Sequence, residues 1–592
     1  MRLDLKDISV QTETSNFFSS EISLSECKLI IIGADAIVHN LLKNRIMKLP
    51  YTQLTSEIVS AIYRDIPAHF ALIFIEKKQM TVVSDPYGII KIYYYCKDGS
   101  LVLTDSLHDF QGENLSLNEE ALKYYFITGY TPSRHTYFKD IFKIEPCTLN
   151  RFEQSAIVDT QIYARFGEET VCGEDFLERF QLAISNVLDF ATQHYNRNEI
   201  ALSGGIDSTF LLMQMLDQYG LEDTALSAFK MKGLNQKKLI DNDYDLIFAN
   251  KLAEMVSSSL TEVDYDFDES GVLEDFKLLR DNLGCEYAPA MGYVGYCKSV
   301  DAGTVLINGQ NADSVLSFGG MGWPRFKGFK LSGLNGLFTR HFQFKGPEDT
   351  NSLMGRVAVF LRRLYYLINF PKSKCLFTRE NYFLGLGLNP ENRFYFDDDP
   401  IYQNIVGPNK LADWFKSEYI EPLLTTYKGL SDHALSVIFY NKTYMQGSAN
   451  RSTVLSALLS GKGILMPFSS LEILELLTNL KPDWHYSFFG KYPNIEVGRK
   501  KINVPKYIIN RQDPNDADST SLLYKALTNN STFNEYITNI LENTNFESYE
   551  KILSKEFLSK IKNSIASIAP KNMPILMRFI WAESIIQKQR MS

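Results

Sequence analysis

Apolar residues change texture along the chain. Up to about residue 165 they fall in short runs separated by turn residues. Leu29–Ile32 closes on Gly33-Ala34-Asp35, and His69–Ile75 is an apolar run bounded by polar residues. Thr81-Val-Val-Ser84 enters Asp85-Pro-Tyr-Gly88, where a residue of fixed φ and a glycine favour a turn. Ile89–Cys96 reads as another strand, Lys97-Asp-Gly-Ser100 as a hairpin and Leu101–Thr104 as the returning strand. A helix over Asn118–Phe126 and an extended stretch over Phe142–Phe152 follow. Short strands with one intervening helix predict a layered α+β unit.

From about Gly173 the rhythm becomes helix and strand in alternation. Helical periodicity runs over Asp175–Tyr195, and a short strand, Glu199–Leu202, leads into Ser203-Gly204-Gly205. A helix from Asp207 to about Gln218 closes on Gly220, and Thr224–Phe229 is the next strand. Ala249–Val256 reads as helix, Leu260–Tyr265 as strand and Gly303–Ile307 as a buried strand. This β-α-β-α-β order predicts an open parallel sheet covered by helices. Gly319–Pro347, rich in Gly, Phe, Arg and Lys, reads as a long loop or insertion, and the chain beyond Ser352 as mostly helical. Gly385–Asp399 and Arg511–Thr520 read as exposed connections.

Bulk composition removes several function classes. With 45 % apolar and 22 % charged residues, a disordered, collagenous or rod-like chain is excluded. A net charge of −9 argues against a nucleic-acid partner. The seven cysteines contain no CxxC pair, which argues against a disulfide framework or a structural zinc site. The eight histidines are scattered without an HExxH pair, so no catalytic zinc is expected. A charged N-terminus and the lack of a long uncharged apolar run predict a cytoplasmic chain with no membrane partner. The 592 residues would fill about four compact units at ~150 residues each.

The chemistry concentrates in Ser203-Gly-Gly-Ile-Asp-Ser208, between a strand and a helix. Adjacent glycines allow a sharp bend and close approach to a ligand, and the helix start supplies free N–H groups and a positive dipole end. Ser203 and Ser208 add hydroxyls, and Asp207 puts a carboxylate beside any bound phosphates, where a divalent cation sits. The spacing is neither that of a Walker loop nor that of a dinucleotide fingerprint. The same residues also suit a plain tight turn with Ser208 as a helix cap. A second strand, Thr304–Ile307, leads into Asn308-Gly-Gln-Asn-Ala-Asp313, so Asp313 falls past a strand end as Asp207 does. The two carboxylates could share Mg2+ with a triphosphate, although Asp313 also suits a solvated loop or cap.

Ser203–Ser208 matches the SGGxDS motif of the ATP-pyrophosphatase group, and further segments resemble the asparagine synthetase family in the right order. Gly309-Gln-Asn-Ala-Asp313 resembles its GEGADE loop, Pro467-Phe-Ser-Ser470 its PFLD, and Pro505–Arg511 its late P-x-x-I-x-x-R segment. Asp85-Pro-Tyr-Gly-Ile-Ile-Lys-Ile-Tyr-Tyr-Tyr95 resembles DRFGxKPLYY, and Thr136–Pro146 resembles T-x-F-x-x-I-x-x-x-x-P. The resemblance implies two units. Residues 1–165 would be an α+β N-terminal nucleophile hydrolase-like domain. Residues 166–592 would be an α/β parallel-sheet ATP-pyrophosphatase (adenine nucleotide α-hydrolase-like) domain with helical extensions.

The departures from the family matter as much. Glutamine-dependent members expose a cysteine as residue one, whereas position 2 here is Arg2 and the nearest cysteine is Cys27. Glutaminase chemistry needs the thiol and its neighbouring amine, so the first unit reads as a degenerate glutaminase. Gln310 stands where the family has Glu, Ser314 where it has a second Glu, and PFLD has become PFSS. These changes move the expectation from asparagine synthesis toward relatives with a dead glutaminase, such as β-lactam synthetases, carbapenam synthetases and lasso-peptide cyclases. The resemblance implies ATP and Mg2+ as cofactors, with Ser203, Gly204, Gly205, Asp207, Ser208, Gly309 and Arg511 at the nucleotide and Asp207 and Asp313 at the metal. A substrate carboxylate would be adenylated, releasing pyrophosphate, and a substrate amine would then displace AMP, with biosynthetic proteins as possible partners. Lys491 is the first candidate for the cation that stabilises the phosphates, with Lys501 and Arg499 as competitors. Glu286 is the candidate base in the acceptor pocket, although a surface carboxylate suits it equally. An ammonia-dependent asparagine synthetase and an inactive binding protein are the alternative readings.

Overall fold

The computed structural model describes residues 2–317, 379–388, 403–481, 492–509, 511, 529–563 and 572–590, with breaks at 5–8, 12–18, 24–26, 48–53, 77–78, 98–99, 111–114, 154–155, 233–240, 268–270 and 289. The N-terminal strands in chain order are β1 (Arg2–Asp4), β2 (Ser9–Gln11), β3 (Ser19–Ser23), β4 (Cys27–Ile32), β5 (Ala71–Glu76) and β6 (Gln79–Val83). They continue with β7 (Tyr93–Lys97), β8 (Ser100–Thr104), β9 (Ile141–Lys143), β10 (Thr148–Glu153) and β11 (Ala156–Ile162). Among the described residues they form two antiparallel sheets, ordered β2-β1-β8-β7-β9 and β11-β10-β6-β5-β4-β3. Apolar residues of the two sheets meet, as where the rings of Tyr94 on β7 and Phe152 on β10 lie 5.7 Å apart.

The apolar run after Asp85 departs from its strand expectation, because β7 starts only at Tyr93. The Asp85 carboxylate accepts the backbone N–H of Tyr87 (3.0 Å) and of Ile90 (2.8 Å), which holds Pro86–Ile90 as a compact turn. The hairpin expectation agrees with the register, in which Lys97 pairs with Ser100.

The second half builds a parallel sheet from β12 (Arg197–Ala201), β13 (Thr224–Lys232), β14 (Leu260–Asp266), β15 (Thr304–Ile307) and β16 (Gly463–Leu465). Its order is β14-β13-β12-β15-β16, with every neighbour parallel. The helix Gly173–His194 packs its apolar face inward, and Phe180 on that face stands 6.0 Å from Phe210 of the helix Ile206–Tyr219. The short β16 lies in the region read as helical and completes the sheet beyond β15. Gly385, expected in an exposed connection, lies in the helix Arg379–Leu388, whose Leu386 and Leu388 are buried. The Gly319–Pro347 insertion falls outside the described residues. Among the described residues no helix is long and apolar enough to cross a membrane.

The two halves share a buried seam. Glu286 forms an isolated antiparallel bridge with Tyr130, and the Tyr287 N–H donates to the Gly129 carbonyl at 2.6 Å. The C-terminal helix Met573–Arg590 sets buried Trp581 against Phe276 and Tyr287, and its indole N–H donates to the Gly284 carbonyl at 3.0 Å.

Candidate active site

The strand order reverses at β12. The chain steps outward through β13 and β14, then returns to lay β15 on the other side of β12. In open parallel sheets the crevice at such a switch point, outside the carboxyl ends of the strands, is where ligands bind. Both loops singled out from the sequence leave the sheet there, and they line one cleft of about 360 Å3 together with Phe229 of β13 and Tyr293 and Tyr296.

The first loop turns at Gly204, whose φ is +66°. A Cβ there would lie 2.5 Å from Phe248 Cβ and 2.9 Å from both Ala249 N and Asp245 O, so only glycine fits. The two serine hydroxyls lie 3.1 Å apart, and Ser208 Oγ accepts the Ser203 N–H at 3.2 Å. They close the loop on itself, a role in addition to the phosphate contacts expected from the sequence. The helix Ile206–Tyr219 begins at Gly205 with no side-chain cap, which leaves its first-turn N–H groups turned to the loop. The Asp207 carboxylate accepts from Asn494 Nδ2 at 2.7 Å.

The second loop presses against the first. A Cβ on Gly309 would stand 3.3 Å from Ser208 N and 3.4 Å from Asp207 Cβ. Asn308 orders this loop: its Oδ1 accepts the Gln310 N–H and its Nδ2 donates to Tyr293 Oη, each at 2.7 Å. Asn311 follows with φ +78°. Its side chain accepts from Asn450 at 2.8 Å and donates to Ser469 Oγ at 2.9 Å, which ties the PFSS segment to the cleft. Asp313 lies in the first turn of the short helix Ala312–Ser317 and lines the same cleft as Asp207. Burial pushes the phenols of Tyr293 and Tyr296 well up, so both stay protonated as hydrogen-bonding walls.

The structure thus brings together Ser203, Asp207, Ser208, Gly309 and Asp313 as lining of one cleft, with Gly204 and Gly205 forming the turn between them. Arg511 meets the first loop: its guanidinium donates to the Ser203 carbonyl at 3.1 Å, pairs with the cleft-lining Asp245 and lies 5.0 Å over the Phe248 ring. Lys491 lies outside the described residues, while the helix that follows it, Tyr492–Lys500, delivers Asn494 to Asp207. Arg499 turns to Glu496 at 3.0 Å, and Lys501 lies 3.7 Å from both Glu174 and Glu178, so neither lines the cleft.

Glu286 needs correction. It is 1 % exposed and absent from the cleft lining, and it stands 3.3 Å from Lys91 Nζ and 3.6 Å from Arg451 Nη1. A carboxylate pinned between two cations in the seam does not serve as an acceptor-side base. Its pairing with Tyr130, far away in sequence, explains why spacing alone did not show this. Asn494, Asn311 and Tyr293 were missed. Only Asn311 carried a signal, since a side chain stands where the family motif has its second glycine.

Among the described residues no cluster of three or more His, Cys, Asp or Glu side chains could hold a metal unaided. Two aspartates lining one cleft instead fit a Mg2+ ion that takes most of its ligands from phosphate oxygens and water.

No family model and no curated protein matches the chain. Solved structures that overlap it include a glutamine-dependent NAD+ synthetase from Acinetobacter baumannii solved with ADP. That match has 16 % identity and a TM-score of 0.19, over 30 % of this chain and 33 % of that one. A second is the glutamine phosphoribosylpyrophosphate amidotransferase from B. subtilis, complexed with ADP and GMP, with 11 % identity and a TM-score of 0.13 over 50 % and 58 %. The chain therefore spans about a third of the first protein and under two thirds of the second. Neither overlap is close enough to carry an assignment.

Proposed function

We propose that the chain is an ATP-dependent ligase of the asparagine synthetase type that joins a substrate carboxylate to a substrate amine. The observation that carries this reading is the meeting of the two loops: Asp207 and Asp313 enter one cleft from adjacent strand ends, over an uncapped helix start. Bound ATP would supply the adenylyl group that activates the carboxylate, with Mg2+ offsetting the phosphate charge. The first-turn N–H groups of the helix Ile206–Tyr219 would hold the pyrophosphate portion, and Asp207 and Asp313 the metal. Asn494 orients Asp207, and Asn308, held by Tyr293, keeps the second loop against the first.

A substrate amine, rather than ammonia cut from glutamine, is the acceptor in this reading. Burial pushes the thiols of Cys96, Cys147, Cys285 and Cys297 up, Cys285 to about 12, so none of these four is poised as a nucleophile. Macrolactam or β-lactam-like ring closure is the finer form of the proposal. The test is a panel of carboxylic acids and peptides incubated with MgATP, with phosphate products separated. AMP and pyrophosphate in equal amounts, dependent on one acid, support the reading. ADP and phosphate, or no acid-dependent turnover, overturn it, and asparagine formed from aspartate and ammonia would favour the simpler synthetase.

A further inference from the structure

The DPYGIIKIYYY segment has no place in the chemistry above, yet it carries a fully buried cation. Lys91 has a side-chain exposure of 0 %, and its ammonium reaches across the seam to two partners. It donates to Gln446 Oε1 at 2.6 Å and stands 3.3 Å from Glu286 Oε1. Each partner opens a path to a different wall of the cleft.

Glu286 is bridged to Tyr130, and the helix Met291–Ser299 follows five residues on in the sequence. That helix presents Tyr293, which holds Asn308 of the second loop at 2.7 Å, and Tyr296, whose hydroxyl lies 2.7 Å from Ser227 Oγ. Gln446 is followed by Gly447, packed with 3.1 Å between an ideal Cβ and Tyr130 Cγ, and by the helix Ser448–Leu459. The first turn of this helix holds Asn450, which donates to Asn311 in the cleft at 2.8 Å. Arg451, beside it, closes the circuit 3.6 Å from Glu286. The remaining cation here, Lys143, is held by the Thr131 carbonyl and hydroxyl, both at 2.9 Å.

We infer that Lys91 is a positioning residue for the nucleotide cleft: by gripping Glu286 and Gln446 together, the N-terminal unit sets the spacing between the Tyr293 wall and the Asn311 wall. This rests on the reading that the cleft takes MgATP. It gives the N-terminal unit a working part in the neighbouring site.

The test is a double-mutant cycle on affinity for the Mg2+ complex of α,β-methylene ATP, titrated by calorimetry into the full chain. The set is wild type, Lys91→Met, Tyr293→Phe and the double variant. Lys91→Met should weaken binding about tenfold, and the two changes should be non-additive by about threefold or more. A merely structural lysine would lower the folded fraction and leave the affinity of folded protein, and additivity, intact. Wild-type affinity in Lys91→Met, or additive effects, would overturn the inference while leaving the cleft's assignment standing. Should Lys91→Met fail to fold, Glu286→Gln and Gln446→Leu each release one arm and should each weaken binding, and wild-type affinity in both would overturn it. No binding by wild type would overturn the functional reading and this inference with it.

Discussion

The cleft and the seam are both built around charged side chains, and they treat charge in opposite ways. In the cleft, Asp207 and Asp313 line a cavity, each in the first turn of a helix that follows a strand end. In the seam, Lys91, Lys143, Glu286 and Arg451 are each 3 % exposed or less and are closed off by one another and by backbone carbonyls. Buried ions cost desolvation and persist only when compensated, so the seam's charge is consumed in joining two units. The cleft's carboxylates instead border an open cavity. Proximity of charges therefore does not distinguish the two regions, whereas bordering an open cavity does.

The sharpest way to break that contrast is Glu286→Ala. It leaves two buried cations, Lys91 and Arg451, without their carboxylate and should destabilise the protein by about 3–5 kcal/mol, read from the urea midpoint. A loss within the surface range would mean the seam is wetter than its geometry implies. Gly204→Ala acts on the cleft instead. The added methyl collides with Phe248 and with the backbone at Asp245 and Ala249, so it should cut MgATP affinity by about 100-fold or more with a smaller change in midpoint. Unchanged affinity would remove the first loop from the site.

The pH dependence of stability sharpens the comparison further. Burial holds the Lys91 ammonium down to about 7 against an ordinary 10.5, even with Glu286 pulling the other way. Between about pH 7 and 10.5 the unfolded chain then binds more protons than the folded one, so stability rises with pH, and the gain is absent below about 7. The urea midpoint should increase from pH 7 to 9 in wild type, and less so in Lys91→Met. His135 behaves alike at lower pH. Burial, then the neighbouring Arg134, pushes it to about 4 from 6.5, so its contribution grows as pH rises through that interval. The smallest effect belongs to Arg499→Ala. This exposed cation pairs with Glu496 away from the cleft, so its loss should shift stability by no more than about 0.5 kcal/mol and leave nucleotide affinity unchanged.

Much of this was legible in the residues themselves. The helix read from Asp207 to Gln218 spans Ile206–Tyr219, and the strand read over Gly303–Ile307 spans Thr304–Ile307, because glycine turns and apolar periodicity mark these boundaries locally. The three-residue β16 carried no readable period. Ile89–Ile92 looked like strand because its apolar run hides the Asp85 carboxylate that folds it into a turn. Glu286 and Asn494 escaped for a different reason. Their partners, Tyr130 and Lys91 in one case and Asp207 in the other, lie more than a hundred residues away, and only the tertiary fold brings them together.

The most direct measurement is acid-dependent exchange of labelled pyrophosphate into ATP by wild type, Asp207→Asn and Asp313→Asn. If the two loops form one nucleotide site, wild type exchanges with at least one carboxylic acid and each variant falls by about 100-fold or more, with an unchanged urea midpoint. Wild-type exchange rates in either variant, or no exchange with any acid, would contradict the account.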